Sequence, residues 1–131
     1  MITAVDTTIL IDVIRSDEHA LNALSMASAK GHLVIGEIVY AEMCAGMSLK
    51  DMEHFCRDFN IELITSSPKA LSLAGQIWLR YKQNSASSKV RVLADFMVAA
   101  HAVMHADQLL TCDRGFYRNY FKELKIITPE G

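Results

Sequence analysis

Residues 4–14, AVDTTILIDVI, place an acid, Asp6, between two apolar runs. A carboxylate in such a setting must find a partner, shift its pKa or reach the surface, because burying it unpaired is expensive. The run before it, ITAV, suits a buried strand, whereas TTILIDVIR spaces Ile9, Leu10, Val13 and Ile14 at helical intervals. Strand, turn and helix are therefore expected to meet at Asp6.

The same alternation continues outward. DEHALNALSMASAK predicts a helix capped by Ser16 or Asp17 and stopped at Gly31, and HLVIG predicts a second buried strand. EIVYAEMCAG follows as a helix with Ile38, Val39 and Met43 as apolar positions and Gly46 as its stop. SLKDMEHFCRDF begins another, with Ser48 and Asp51 in an S-x-x-D capping pattern, before the strand IELI. Pro68 opens a long helix, PKALSLAGQIWLRYKQ, and NSASSK is the one low-complexity piece, read as an exposed loop. The chain closes with the helix ADFMVAAHAVMHA, the strand QLLT, the short helix RGFYRNYF and the strand KIIT before Pro129. Strands separated by helices imply right-handed crossovers and an α/β fold in three α/β/α layers, with a mainly parallel central sheet of about five strands.

The 131 residues, 51% hydrophobic and without an apolar run near twenty, are those of a single globular domain spanning 1–131 with no membrane span. The first charged residue is Asp6, so the basic flank of a secretory signal is missing and a cytoplasmic location is expected. Cys44, Cys56 and Cys112 are odd in number and form no C-x-x-C pair, which argues against disulfides and thiolate zinc; reduced core or near-core residues are expected. The net charge of −2 hides an asymmetry: residues 1–65 hold ten acids and four Lys or Arg, residues 66–131 five acids and nine. A local phosphate-binding face fits that distribution, as does an ordinary solvated surface.

In parallel sheets ligands bind at the carboxyl ends of the strands, which is where Asp6 falls. Asp113 follows the strand QLLT, Asp95 begins the helix FMVAAHAV, and Glu42 lies inside the helix that leaves the second strand. Taken singly, Asp6 and Asp95 read as N-caps and Asp113 as a turn residue. Capping does not explain Glu42, which apolar side chains surround in IVYAEMCA. Convergent carboxylates repel one another unless protons or cations neutralise them, and a hard divalent ion, Mg²⁺ or Mn²⁺, is the partner that Asp6 would lack.

In order, VDTTILID, VYAEMCAG, LADFMVAAHAV and LLTCDRGFY resemble the motifs of the PIN-domain ribonucleases, over nearly the whole chain and most closely those of toxins of the VapC and FitB kind. The resemblance implies a metal-dependent endoribonuclease, with metal-binding and catalytic roles for Asp6, Glu42, Asp95 and Asp113 and supporting hydroxyls from Thr7 and Thr111. Beside Asp113, Arg114 and Arg118 lie four apart on a short helix, in reach of substrate phosphates or on a solvated face. Two positions depart from the family pattern: Thr8 stands where Asn is frequent and Gly115 where a further acid is frequent, which bears on how many metal ions are held. The resemblance also implies an RNA substrate, a homodimer and a small antitoxin seated on an apolar groove, for which Met43, Met47 and Leu49 are the expected patch.

Two other classes fit parts of the sequence. A receiver-like signalling module also gathers acids around Mg²⁺, but it needs paired acids after its first strand and a Lys after its last, whereas Asp6 stands alone and Lys125 precedes IIT. A catalytically silent binding protein that keeps the fold has no need of intact acids. His101 and His105 have the i, i+4 spacing of H-E-x-x-H zinc sites, yet Ala102 occupies the Glu position, so a place near the core edge is expected instead. Trp78 and Tyr81 of the long helix read as core or interface.

Overall fold

Short apolar runs that must lie between helices leave no polar face, and they form parallel strands covered on both sides. The structure, a computed structural model, describes residues 1–84 and 92–129. Among these residues the elements run β1 (Ile2–Val5), α1 (Thr7–Ile14), α2 (Glu18–Ala29), β2 (His32–Ile35), α3 (Glu37–Cys44), α4 (Leu49–Phe59) and β3 (Ile61–Leu63). They continue through α5 (Pro68–Asn84), α6 (Leu93–His105), β4 (Gln108–Leu110), α7 (Arg114–Tyr120) and β5 (Ile126–Ile127). The five strands pair in the order β3-β2-β1-β4-β5, every pair parallel. The three-layer α/β architecture expected from the sequence is the one observed.

That order decides against the receiver, whose flavodoxin-like sheet runs 2-1-3-4-5. Here β1 is central: the chain first builds outward through β2 and β3, then returns to add β4 and β5 on the other side. The strand order reverses between β1 and β4, and the crevice at such a reversal is where open α/β sheets bind ligands. Val5 is in register with Leu110, and the Asp6 amide continues the ladder by donating to the Leu110 carbonyl at 2.9 Å. Asp6 and the residues after Leu110 thus emerge side by side.

Local chemistry ends most elements as expected. Asp17 caps α2 by accepting the Ala20 amide, while Ser16 takes a positive φ of 62° in the turn before it. α3 stops at Cys44 with Ala45 as its cap, and Gly46 follows directly after the cap, where a helix-stopping glycine stands. Cys112 is exposed and only Cys44 and Cys56 are half-buried, so the cysteines are less internal than expected. Ser48 does cap α4, accepting the Asp51 amide at 3.1 Å. Gly31 is required by packing, since a Cβ there would lie 1.9 Å from the Met1 carbonyl oxygen at the start of the β1–β2 pair. Of the expected loop NSASSK, Asn84 ends α5 and the remainder lies outside the described residues.

The core includes the sheet residues Val5, Leu33, Ile35, Leu109 and Leu110, with Ile9 and Leu10 of α1 against them. A second centre is aromatic: Phe96 of α6 is fully buried among Tyr81, Phe116, Tyr120 and Phe121, at ring separations of 5.2 to 6.4 Å. It joins α5 and α7 to α6. Tyr81 is thereby core, and Trp78 is half-buried beneath the Lys82 ammonium, 3.8 Å from its ring.

Candidate active site

Asp6 ends β1 and caps α1, and the two duties use its two oxygens differently. Oδ1 accepts the Thr7 amide at 2.8 Å, the ordinary work of an N-cap. Oδ2 accepts the hydroxyls of Thr111 at 2.7 Å and Tyr117 at 3.3 Å. A cap needs only the first bond; the others hold a buried carboxylate, 8% exposed, in one orientation. Burial pushes the Asp6 pKa above the ordinary carboxylate range, the bonds from Thr111, Thr7 and Tyr117 pull against it, and the nearby Glu42 charge pushes it further up. Among the described residues no cationic side chain is one of the groups that shift it.

Thr7 links the first acid to the second, since its hydroxyl donates to Glu42 Oε1 at 2.7 Å while its amide holds Asp6. Glu42 is exposed on α3 at the mouth of the crevice, so the expectation that apolar neighbours would bury it is corrected. α3 turns Val39 and Met43 to the core and Glu42 outward between them. Asp95 is half-buried in the first turn of α6, where it accepts the Val92 amide at 3.3 Å from the third helical position instead of from the cap. Asp113 does cap its helix, accepting the Phe116 amide at 3.4 Å, and its own amide donates to Thr111 Oγ1.

Tyr117 is the residue that sequence reasoning missed. Buried on the inner face of α7, it lies near enough to Asp6, Asp95 and Asp113 that burial and all three carboxylates raise its pKa strongly. Its hydroxyl stays protonated and acts as a donor at the centre of the acids. The signal was present, because a buried Tyr normally finds a hydrogen-bond partner and Tyr117 follows Asp113 by one helical turn. The four acids do not close into one cage: among the described residues no three His, Cys, Asp or Glu side chains gather as a metal-binding group. Asp6 and Glu42 form one edge of the crevice, bridged by Thr7; Asp95 and Asp113 approach from α6 and α7.

Arg114 and Arg118 are both exposed, and Arg114 Nη2 donates to Thr128 Oγ1 at 2.8 Å. Thr8 is exposed beside Cys112, to which it is hydrogen-bonded, and a Cβ on Gly115 would meet nothing within 4 Å. Both departures from the family pattern therefore fall on open surface. A largely apolar groove of about 420 Å³ is lined by Ile11, Ile14, Met43 and Met47 together with Arg15 and Glu42. Leu49, expected in this patch, is 62% exposed but not part of the groove; Ile11 and Ile14 take its place.

The histidine pair has a structural task. His101 Nε2–H donates to the Ile64 carbonyl at 2.6 Å, and His105 Nε2 accepts the Ser67 amide at 3.0 Å. Glu37 accepts both the amide and the hydroxyl of Ser66, so residues 64–67 are fastened at three points. The His101 ring rests on Gly36, where a Cβ would come within 2.9 Å of it. Burial lowers the His101 pKa, reinforced by His105 and opposed by the Ile64 bond and Glu37. A depressed folded-state pKa means that the neutral ring's stabilisation is complete above the unfolded value of about 6.5 and is lost as pH falls below it. His101→Gln is expected to narrow the drop in melting temperature between pH 7 and pH 5; an equal drop in variant and wild type would remove His101 as its source.

A protein-family model described as PIN domain matches residues 3–122. No curated protein sequence matches the chain. Among solved structures the chain is similar to VapBC2 from Rickettsia felis, bound to a promoter DNA fragment, at 20% identity with a TM-score of 0.78 over 99% of this chain and 100% of that one. It is similar to a toxin–antitoxin complex from Klebsiella pneumoniae at 22% identity and a TM-score of 0.71, covering 98% of each chain. It is also similar to FitAcB from Neisseria gonorrhoeae at 20% identity and a TM-score of 0.71, covering 97% of this chain and 96% of that one. Likeness at such identities establishes a shared fold.

Proposed function

The chain belongs to the PIN domain family, and from that premise we propose that it is a Mg²⁺- or Mn²⁺-dependent endoribonuclease, the toxin of a type II toxin–antitoxin pair. The observation that supports this most is Asp6: a buried carboxylate at the strand-order reversal, oriented by one amide and two hydroxyls and, among the described residues, given no cationic side chain. Keeping such a charge weakens the fold, which is the pattern of a group retained for binding.

The donor set fits a hard divalent ion. All four candidate ligands are carboxylates, and Mg²⁺ binds through one or two of them while keeping several waters, which suits an open arrangement better than a closed cage. Asp6 and Glu42 would hold it, with Asp95 and Asp113 contributing from the opposite helices. A bound divalent ion supplies Lewis-acid polarisation of a phosphoryl oxygen and neutralises charge during in-line displacement. The chain's own part is orientation. The Thr7 amide and hydroxyl fix Asp6 against Glu42, and the Thr111 hydroxyl and the protonated Tyr117 hydroxyl hold the other Asp6 oxygen. Arg114 and Arg118, exposed on α7, would meet phosphates of the RNA in this reading.

The structures to which this chain is similar are toxin–antitoxin complexes, and an antitoxin is accordingly part of the proposal. The groove of Ile11, Ile14, Met43 and Met47 supports it, being apolar, open and adjacent to Glu42. A homodimer is proposed on the same resemblance; Leu71 and Leu79 of α5 are exposed apolar residues for it to cover. No described helix is long and apolar enough to cross a membrane, and the cytoplasm remains the proposed compartment.

The test is cleavage of a mixed, structured RNA by the purified protein with Mg²⁺ or Mn²⁺, with EDTA, and with Asp95→Asn in parallel. Cuts that need the ion and disappear in the variant are expected. Equal cutting by variant and wild type would reject the site, and intact metal binding with no cutting of any RNA would favour the silent binding protein.

A further inference from the structure

A second concavity, of about 470 Å³, lies between α2 and the β4–β5 side of the sheet. Gln108, Leu110, Ile126 and Ile127 line it from the strands, and His19, Met26 and Lys30 from α2. Its charge is one-sided. Among the described residues Lys30, Arg114 and Lys125 line it together with His19, and no Asp or Glu does, in a protein whose acids outnumber its Lys and Arg overall.

The cations are spread along the groove. Lys30 and Lys125 stand just before β2 and β5, at the amino ends of the strands, whereas Arg114 begins α7 beyond the carboxyl end of β4. Arg114 directly follows Asp113, and its bond to Thr128 ties the guanidinium to the chain leaving β5 while using one of its five donors. The groove therefore starts at the rim of the acidic crevice. Among the described residues no aromatic ring lines it, so they offer no platform on which bases stack, and their contacts suit a charged backbone more than base identity.

We propose that this groove is a sequence-independent track for the phosphate backbone of the RNA segment flanking the scissile bond. It rests on the nuclease reading above. A crevice of carboxylates repels the polyanion it must admit, and a cationic strip leading to its edge offsets that repulsion. An acidic peptide would match the charge, but nothing would draw it toward a carboxylate-lined end. Lys30 comes from the acidic half of the chain and Arg114 and Lys125 from the basic half, so the track exists only in the folded molecule.

The experiment measures fluorescence anisotropy of a short labelled single-stranded RNA with the full chain, in EDTA, across a series of salt concentrations. Lys30 and Lys125 are exposed, and Lys30→Gln/Lys125→Gln is expected to fold, as melting by circular dichroism will check. Affinity at low salt is expected to fall at least about tenfold, and the slope of log K against log salt to become shallower by about 1.4, from two lost phosphate contacts on a single strand. If wild type binds and the double variant matches it in affinity and slope, the groove has no part in RNA binding while the nuclease reading stands. If wild type binds no RNA at low salt, the nuclease reading fails and the track fails with it. Loss of polyglutamate binding in the variant with RNA binding unchanged would assign the groove to an acidic peptide and overturn the proposal. Should the double variant not fold, photo-crosslinking of 4-thiouridine RNA to wild type decides: adducts within 22–30 or 125–128 support the track, and adducts elsewhere alone overturn it.

Discussion

Asp6→Asn is expected to abolish RNA cleavage and, without metal, to leave the protein at least as stable as wild type. The two effects have one cause. Asparagine keeps an oxygen for the Thr7 amide, and its NH₂ donates to the Thr111 and Tyr117 hydroxyls, which accept as readily as they donate. Cap and packing survive while the charge goes. Because the folded-state pKa of Asp6 is raised, the ionised carboxylate weighs against folding at neutral pH and ceases to do so as pH falls through that raised value. The variant's advantage in EDTA should therefore be greatest near pH 7 and vanish below about pH 4, where both states protonate. Mg²⁺ should raise the melting temperature of wild type and not that of the variant. Loss of activity should exceed the 10- to 100-fold typical of groups that merely support a metal ligand, so a fall of at least about 100-fold is expected. A melting temperature several degrees below wild type in EDTA would show that Asp6 is held chiefly for the fold.

Phe96→Ala is expected to be the most destabilising single truncation around the site. Phe96 is fully buried and its ring meets those of Tyr81, Phe116, Tyr120 and Phe121. Removing a buried Phe costs about 3–5 kcal/mol, a large share of the roughly 5–15 kcal/mol by which a domain is stable. The melting temperature should fall by roughly 10–20 °C. Function should suffer even where the variant stays folded, because Phe96 follows Asp95 and packs on Phe116, the neighbour of Tyr117. Met104→Ala, at a site 44% exposed, serves as the control and should stay within about 0.5 kcal/mol of wild type. Urea melts of the pair make the comparison, and equal midpoints would show that the aromatic cluster collapses around the vacancy.

The acids were legible because each stands where a local rule applies: after a strand, at the start of a helix, or inside an apolar helix where a charge has no local reason to be. Their neighbours were less so. Thr7 and Thr111 were anticipated as supports, but Tyr117 went unread, since RGFYRNYF does not say which of its rings turns inward. The i, i+4 histidines find their partners, Ile64 and Ser67, nearly forty residues away, unannounced by any spacing. Leu49 was assigned to the apolar groove, which Ile11 and Ile14 line in its place.

By itself the sequence determined the alternation of strand and helix and most element boundaries, and it singled out four acids as candidates, because hydrophobic period, capping and turn chemistry act within a few residues. Tertiary structure alone decided that β1 lies between β2 and β4, so that Asp6 meets Thr111 and Tyr117 across more than a hundred residues. It also decided that Lys30 joins Arg114 and Lys125 in one groove. Pairing of strands is settled by burial and hydrogen bonding summed over the whole core, and no local stretch of sequence contains that sum.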